Sequence, residues 1–214
     1  MNMLTIREGI YLVIDPSMDP GKILNKLRRL IKYPLAAVQL WDNFNGGDDP
    51  DLLISEIARI CHPAGIPVLV NNHWEWLHNG QLDGVHFDSV PQNFSEIKNG
   101  IGRNFLTGIT CNNDMSVIKW ADENRLDYIS FCSVFPSSTA NSCELVNFET
   151  IKKTRAITNL PIFLAGGIRP DNIHKLDELP YSGIAVVSGI MSADDPEEAI
   201  KNYLEKIQPE KNAT

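Results

Sequence analysis

The sequence predicts a single α/β domain, a (βα)8 TIM barrel of the small variant. Three observations predict it. Eight short apolar runs, rich in β-branched residues, recur along the 214 residues. Most of them are continuously apolar and not alternating, as strands buried on both faces of a parallel sheet require. Amphipathic stretches at helical spacing separate them. Eight βα units in a chain of this length lie near the lower size limit of a barrel, whereas an open doubly wound sheet typically has about five or six strands.

In chain order the predicted strands are Ile10 to Ile14, Leu35 to Leu40, Pro67 to Val70, Asp83 to His86, Phe105 to Ile109, Tyr128 to Phe131, Pro161 to Ala165 and Ile184 to Val187. Between the first and second, Ile23, Leu27, Leu30 and Ile31 share one helical face, and Leu53, Ile54, Ile57, Ala58 and Cys61 do so between the second and third. Further helices are expected over Met115 to Glu123, Phe148 to Ile157 and Pro196 to Ile207. The last opens with Asp194 and Asp195 at its positive end. Ile66-Pro67 and Leu160-Pro161 put proline at a strand's first residue, where the missing N–H costs least. The third and fourth units, His73 to Gln81 and Val90 to Gly100, have room only for short helices. One domain over 1–207 is expected, with a frayed tail over 208–214.

The formal net charge of −8 and the pI near 5.1 argue against nucleic acid or an anionic membrane as the main partner, since phosphate backbones demand a basic footprint. Cys61, Cys111, Cys132 and Cys143 form no C-x-x-C pair, and Met1 to Glu8 lacks the character of a signal peptide. Reduced thiols in a cytoplasmic protein are expected. No apolar run approaches the ~18 residues of a membrane span.

Barrel sites lie at the carboxyl ends of the strands. After the seventh run comes Ala165-Gly166-Gly167-Ile168, with Arg169-Pro170-Asp171-Asn172 opening a helix, and after the eighth comes Val187-Ser188-Gly189-Ile190. Taken singly, such glycines are explained by tight βα turns. Paired in adjacent final units, Gly166, Gly167, Val187, Ser188 and Gly189 predict a phosphate held by main-chain N–H groups, which suits an acidic protein. Earlier strand ends carry Gln39, Asn71, Asn72, His86, Thr110 and Ser133, whose joint position over the barrel mouth suits hydrogen bonding to a heterocycle. Gln39, Asn71, His86 and Thr110 are the catalytic candidates, although a lone histidine such as His86 is more often a hydrogen-bonded structural residue. Trp41 is the tryptophan most suited to a pocket, and the cysteines read as small apolar fillers. No metal-ligand spacing is present, Asp42, Asp48, Asp49 and Asp88 being separate carboxylates.

The ordered set Ile10 to Asp15, Val38-Gln39-Leu40, Pro67 to Asn71, Asp83-Gly84-Val85-His86, Asp127 to Phe131 with Val134-Phe135-Pro136, Ala165 to Ile168 and Gly183 to Ile190 resembles thiamine phosphate synthase and its relative the TenI-type thiazole tautomerase. The resemblance implies a barrel in which a pyrimidine diphosphate and a thiazole phosphate join, with Mg2+ assisting departure of pyrophosphate. It assigns thiazole phosphate to Ser137, Ser138, Thr139, Gly166-Gly167 and Val187-Ser188, and the pyrimidine to Gln39, Asn71 and Thr110. The family's Gln-Leu-Arg-Glu-Lys reads Gln39-Leu40-Trp41-Asp42-Asn43 here, so both basic residues that grip pyrophosphate are replaced. Its Asn-Asp-Arg reads Asn71-Asn72-His73, the second magnesium aspartate falls near Pro91, and the lysine after the Thr-x-Thr segment is Ala140. Asp88 is the one nearby candidate for a substitute Mg2+ ligand. The histidine expected after strand five of the tautomerase is Asn112.

Three readings stand at this point. The chain is a divergent family member of thiamine biosynthesis, binding thiazole phosphate or a similar ester; or a non-catalytic binding or regulatory protein that kept the monophosphate pocket; or a working synthase in which Asp88, Asp42 or His73 compensates. The expected ligand is a small phosphorylated heterocycle, and a homodimer is the base-rate assembly.

Overall fold

The computed structural model describes residues 5–45, 49–136 and 144–207. Eight parallel strands close into a barrel in simple sequential order. They are β1 (Gly9–Ile14), β2 (Leu35–Leu40), β3 (Val68–Asn71), β4 (Gly84–Phe87), β5 (Leu106–Thr110), β6 (Tyr128–Cys132), β7 (Ile162–Ala165) and β8 (Gly183–Val186), with β8 returning to pair with β1. The helices are α1 (Pro20–Leu30), α2 (Pro50–Cys61), α3 (Phe94–Ile101), α4 (Met115–Glu123), α5 (Phe148–Thr154), α6 (Ser188–Met191) and α7 (Pro196–Leu204). Short 3-10 turns over Trp74–Asn79 and Ile173–Leu176 serve after β3 and β7.

Side chains alternate along each strand, so the barrel has two apolar compartments. Outward residues such as Ile10, Leu12, Val38, Val68, Ile129, Leu164 and Ile184 pack with the buried faces of the helices. Inward residues form a second cluster of Tyr11, Val13, Ala37, Leu69, Leu106, Tyr128 and Phe163. Both sides are apolar, which is why the strands read as unbroken hydrophobic runs.

Pro67 and Pro161 stand one residue before β3 and β7, not within them as expected. Their carbonyls accept from Val38 and Ile129 across the neighbouring strands. Three side chains immediately before even-numbered strands accept from an N–H in the first two residues of the preceding strand. Asp83 Oδ2 accepts from Val68 (2.8 Å), Asp127 Oδ2 from Thr107 (2.7 Å) and Ser182 Oγ from Ile162 (3.4 Å). These polar groups close the barrel's amino end, opposite the candidate site. No helix among the described residues is long and apolar enough to cross a membrane.

α1 and α7, neighbours where the barrel closes, are tied together by charge. Glu197 in the first turn of α7 receives Arg29 at 2.9 Å and also Lys32, and Arg29 reaches Asp195 at 2.6 Å. Those partners, led by Lys32, hold the Glu197 carboxyl down to about 2 from its ordinary 4.5. A depressed carboxylate stabilises above its unfolded value and loses that contribution as pH falls through its folded one. Melting temperature is therefore expected to fall between about pH 4.5 and pH 2. Glu197→Gln should melt lower than wild type at pH 6 and converge with it at the acid end, as paired thermal melts would show.

Candidate functional site

The carboxyl end of the barrel opens into a cavity of about 590 Å3. Gln39, Trp41, Asn71, His86 and Thr110 line it from β2 to β5, and Gly166, Gly167, Val187, Ser188 and Gly189 line it from the opposite side. The two glycine turns thus face one shared space. Asp88 and Arg169 are the charged groups among its described lining residues. Ser133 does not reach the cavity, because it is buried under Gly166, whose position a Cβ could not share: such an atom would stand 1.9 Å from Ser133 Oγ. His73, Trp74 and Trp76 lie outside the lining, Cys132 contributes to it, and Ser137, Ser138 and Thr139 fall outside the described residues.

The turn after β7 follows from its sequence. Gly166 and Gly167 both take positive φ, 88° and 64°, which L side chains rarely adopt. Asn172, buried, fixes the turn by accepting from the Arg169 N–H (2.8 Å) and donating to the Gly167 carbonyl (2.9 Å). After β8, Val187 leaves the strand (φ −103°, ψ −93°) and α6 begins at once, with no side chain capping it. The first-turn N–H groups of a helix have no partner within it. Those of Ser188 and Gly189 are therefore available at a wall of the cavity.

The opposite wall is a connected set of polar side chains. Asn71 Nδ2 and Asn72 Nδ2 both donate to Asp88 Oδ2, at 3.0 and 2.9 Å. Gln39 Nε2 donates to Asn71 Oδ1 (2.9 Å) and Tyr11 Oη donates to Gln39 Oε1 (2.7 Å). Tyr11 Oη meets Tyr128 Oη at 2.7 Å, Tyr128 Oη meets His86 Nδ1 at 2.9 Å, and His86 Nε2 meets Thr110 Oγ1 at 2.9 Å. Thr110 Oγ1 then meets Ser130 Oγ at 3.1 Å. Burial drives the His86 imidazole down to about 4, against a smaller opposing effect of Asp88, so it is neutral at physiological pH. Burial likewise raises both tyrosines and leaves their hydroxyls protonated.

Tyr11 and Tyr128 were not legible as site residues, because each sits inside an apolar strand run. The available signal was that a buried tyrosine hydroxyl needs a partner. Ser130 was missed too, since only strand register brings it to the mouth; Arg169 and Asn172 read only as the opening of a helix, whereas Arg169 lines the cavity and Asn172 braces the turn.

At the β2 and β3 ends, the segment where the resemblance implies basic residues is occupied by contacts between loops. Asp42 Oδ1 holds His73 Nε2 at 2.8 Å, His73 stacks on Trp76 at 4.3 Å, and Asn43 donates to Asp15 at 2.9 Å. Of Trp41, Asp42 and Asn43, Trp41 alone lines the cavity.

A family model described as thiamine monophosphate synthase matches residues 10–190. The chain belongs to the thiamine monophosphate synthase family. It is 27% identical over 208 residues to the thiamine-phosphate synthase of Methanobrevibacter smithii, spanning 97% of this chain and 98% of that one. It is 29% identical over 211 residues to the thiamine-phosphate synthase of Bacillus velezensis, spanning 95% and 92%. Among solved structures, thiamine phosphate pyrophosphorylase from Pyrococcus furiosus superposes with a TM-score of 0.75 at 19% identity, covering 92% of this chain and 94% of that one. The tryptophan synthase A-subunit of the same organism gives 0.72 at 14% identity, covering 95% and 98%. At such identities these structural likenesses establish the barrel fold and nothing narrower.

The donor set does not fit the Mg2+ that the synthase resemblance implies. Asn71 and Asn72 both turn N–H groups toward the Asp88 carboxylate, and the Asn72 oxygen is taken by the Asp88 main-chain N–H (3.0 Å). No group of three or more His, Cys, Asp or Glu side chains among the described residues could hold a metal ion.

Proposed function

We propose that this member of the thiamine monophosphate synthase family binds a thiazole phosphate or closely similar phosphate ester between the loops after β7 and β8, and that its synthase turnover is strongly reduced. One observation carries the reading: Gly166, Gly167, Ser188 and Gly189 line a single cavity with Arg169 beside them, while the described lining residues from the β2 and β3 ends, which would grip a diphosphate, include no lysine or arginine. A monophosphate needs only the main-chain donors of the glycine side. A departing diphosphate needs compensating charge as well, and each hydrogen bond to a charged group contributes about 1.5–3 kcal/mol. Losing one such bond at the transition state slows a reaction by roughly tenfold or more.

Thiazole phosphate at millimolar concentration is expected to raise the melting temperature of the protein. The same protein mixed with pyrimidine diphosphate, thiazole phosphate and Mg2+ is expected to form thiamine phosphate at no more than about one hundredth the rate of a synthase that retains both basic residues. Absence of a melting shift would remove the ligand assignment. Turnover at the full family rate would remove the assignment of reduced activity and favour the compensated synthase.

A further inference from the structure

We propose that Ser130, Thr110, His86, Tyr128 and Tyr11 form a one-directional hydrogen-bonded chain that ends on Asp88 and fixes the orientation of the Gln39 and Asn71 side-chain amides at the cavity wall. The direction follows from proton counting, beginning at the group that can only accept. The Asp88 carboxylate receives Asn71 Nδ2, so the Asn71 oxygen must face Gln39. That oxygen receives Gln39 Nε2, so the Gln39 oxygen must face Tyr11. Tyr11 commits its single proton to Gln39, and the 2.7 Å contact between the two tyrosines then requires Tyr128 to donate. With its own proton spent, Tyr128 can only accept from His86, which must carry hydrogen on Nδ1. The Nε2 lone pair of the neutral ring accepts from Thr110, and Thr110 in turn accepts from Ser130. The other neutral tautomer would leave two oxygens of the chain in contact with no proton between them.

The consequence is a division of labour in the site. Both nitrogens of His86 are occupied, so His86 acts as a positioning residue, as do Tyr11 and Tyr128. Gln39 and Asn71 each keep one N–H and one lone pair, in an order that they cannot exchange without reversing the whole chain. That fixed pattern is what a heterocycle would meet at this wall. The last clause rests on the proposed function; the chain itself is a property of the protein without ligand.

The test reads the His86 tautomer in the unliganded protein. Long-range 1H–15N spectra at neutral pH, with the His86 signal identified among the five histidines by its loss in His86→Gln, report which nitrogen is protonated. Wild type is expected to show Nδ1–H over Nε2–H by at least about ten to one. Asp88→Asn, at an exposed position, removes the obligate acceptor and permits reversal. Tyr11→Phe leaves the charge unchanged but frees the Tyr128 proton for His86. Each variant is expected to populate Nε2–H, although Tyr11 has no contact with His86 in the chain described above. An unprotonated Nδ1 in wild type, or a His86 signal unchanged by both variants, would overturn the proposal. A wild-type Nδ1–H signal in a protein that ignores thiazole phosphate would uphold the chain and defeat the functional reading.

Discussion

Gly167→Ala is expected to weaken thiazole phosphate binding at least tenfold while leaving the barrel folded. Gly167 has a φ of 64°, and a Cβ built there would stand 2.4 Å from the Pro136 carbonyl oxygen and 2.8 Å from that of Phe135. Neither oxygen belongs to a flexible side chain. The loop that supplies them is itself pinned, because Val134 and Phe135 donate to the carbonyls of Ala165 and Gly166 at 2.9 and 3.1 Å. An added methyl must therefore shift the turn, and with it the main-chain donors of the proposed anion site. Loss of one hydrogen bond to a charged group, about 1.5–3 kcal/mol, corresponds to roughly tenfold to 150-fold in affinity. The left-handed conformation costs a non-glycine residue about 1–2 kcal/mol in addition, so the apoprotein should also melt a few degrees lower. Titration calorimetry gives the first quantity and a thermal melt the second. Unchanged affinity in a folded Gly167→Ala protein would mean that this turn does not hold the phosphate.

Tyr128→Ala is expected to produce the largest loss of stability of any change at the site, about 3–5 kcal/mol. The Tyr128 side chain is fully buried. Its ring lies 5.6 Å from that of Tyr11, 5.6 Å from Phe163 and 5.6 Å from His86, so it joins the apolar interior of the barrel to the polar wall above it. Gly108 on the adjacent strand makes the space, since a Cβ there would fall 2.0 Å from the Tyr128 ring. Truncation opens a cavity and strips partners from the Tyr11 hydroxyl and from His86 together. At about 2–4 °C per kcal/mol for a protein of this size, the melting temperature should drop by roughly 10 °C. Tyr128→Phe keeps the volume and should lose only about 1–3 kcal/mol, through its unpaired neighbours. Equal melting temperatures for the two variants would show that packing contributes little at this position.

The barrel was legible because its strands are buried on both sides. Leu35 to Leu40 is read from the sequence with the bounds of β2, and the other seven strands differ from expectation by one residue at one or both ends. The differences have local causes. Val187 reads as strand by composition, but its backbone has already turned to begin α6. The helix expected to run to Ile157 stops at Thr154, where the Thr154 hydroxyl bonds the Thr150 carbonyl and Thr158 reaches across to Asp122. That the two glycine turns face one cavity was legible for a positional reason: both follow the carboxyl ends of adjacent strands, where a barrel opens. The polar wall was legible only in part. Gln39, Asn71, His86 and Thr110 stand at strand ends, where a barrel places its chemistry, but their connection through Tyr11 and Tyr128 depends on strand register across five strands. Local patterns carry no record of that register.

The account rests on one anion site shared by the turns after β7 and β8, and an amide-resolved titration tests it most directly. With thiazole phosphate added to 15N-labelled protein, the N–H signals of Gly167, Ser188 and Gly189 are predicted to shift together along one saturable curve, ahead of amides elsewhere in the barrel. Saturable binding that leaves those three signals in place, and moves others instead, would contradict it.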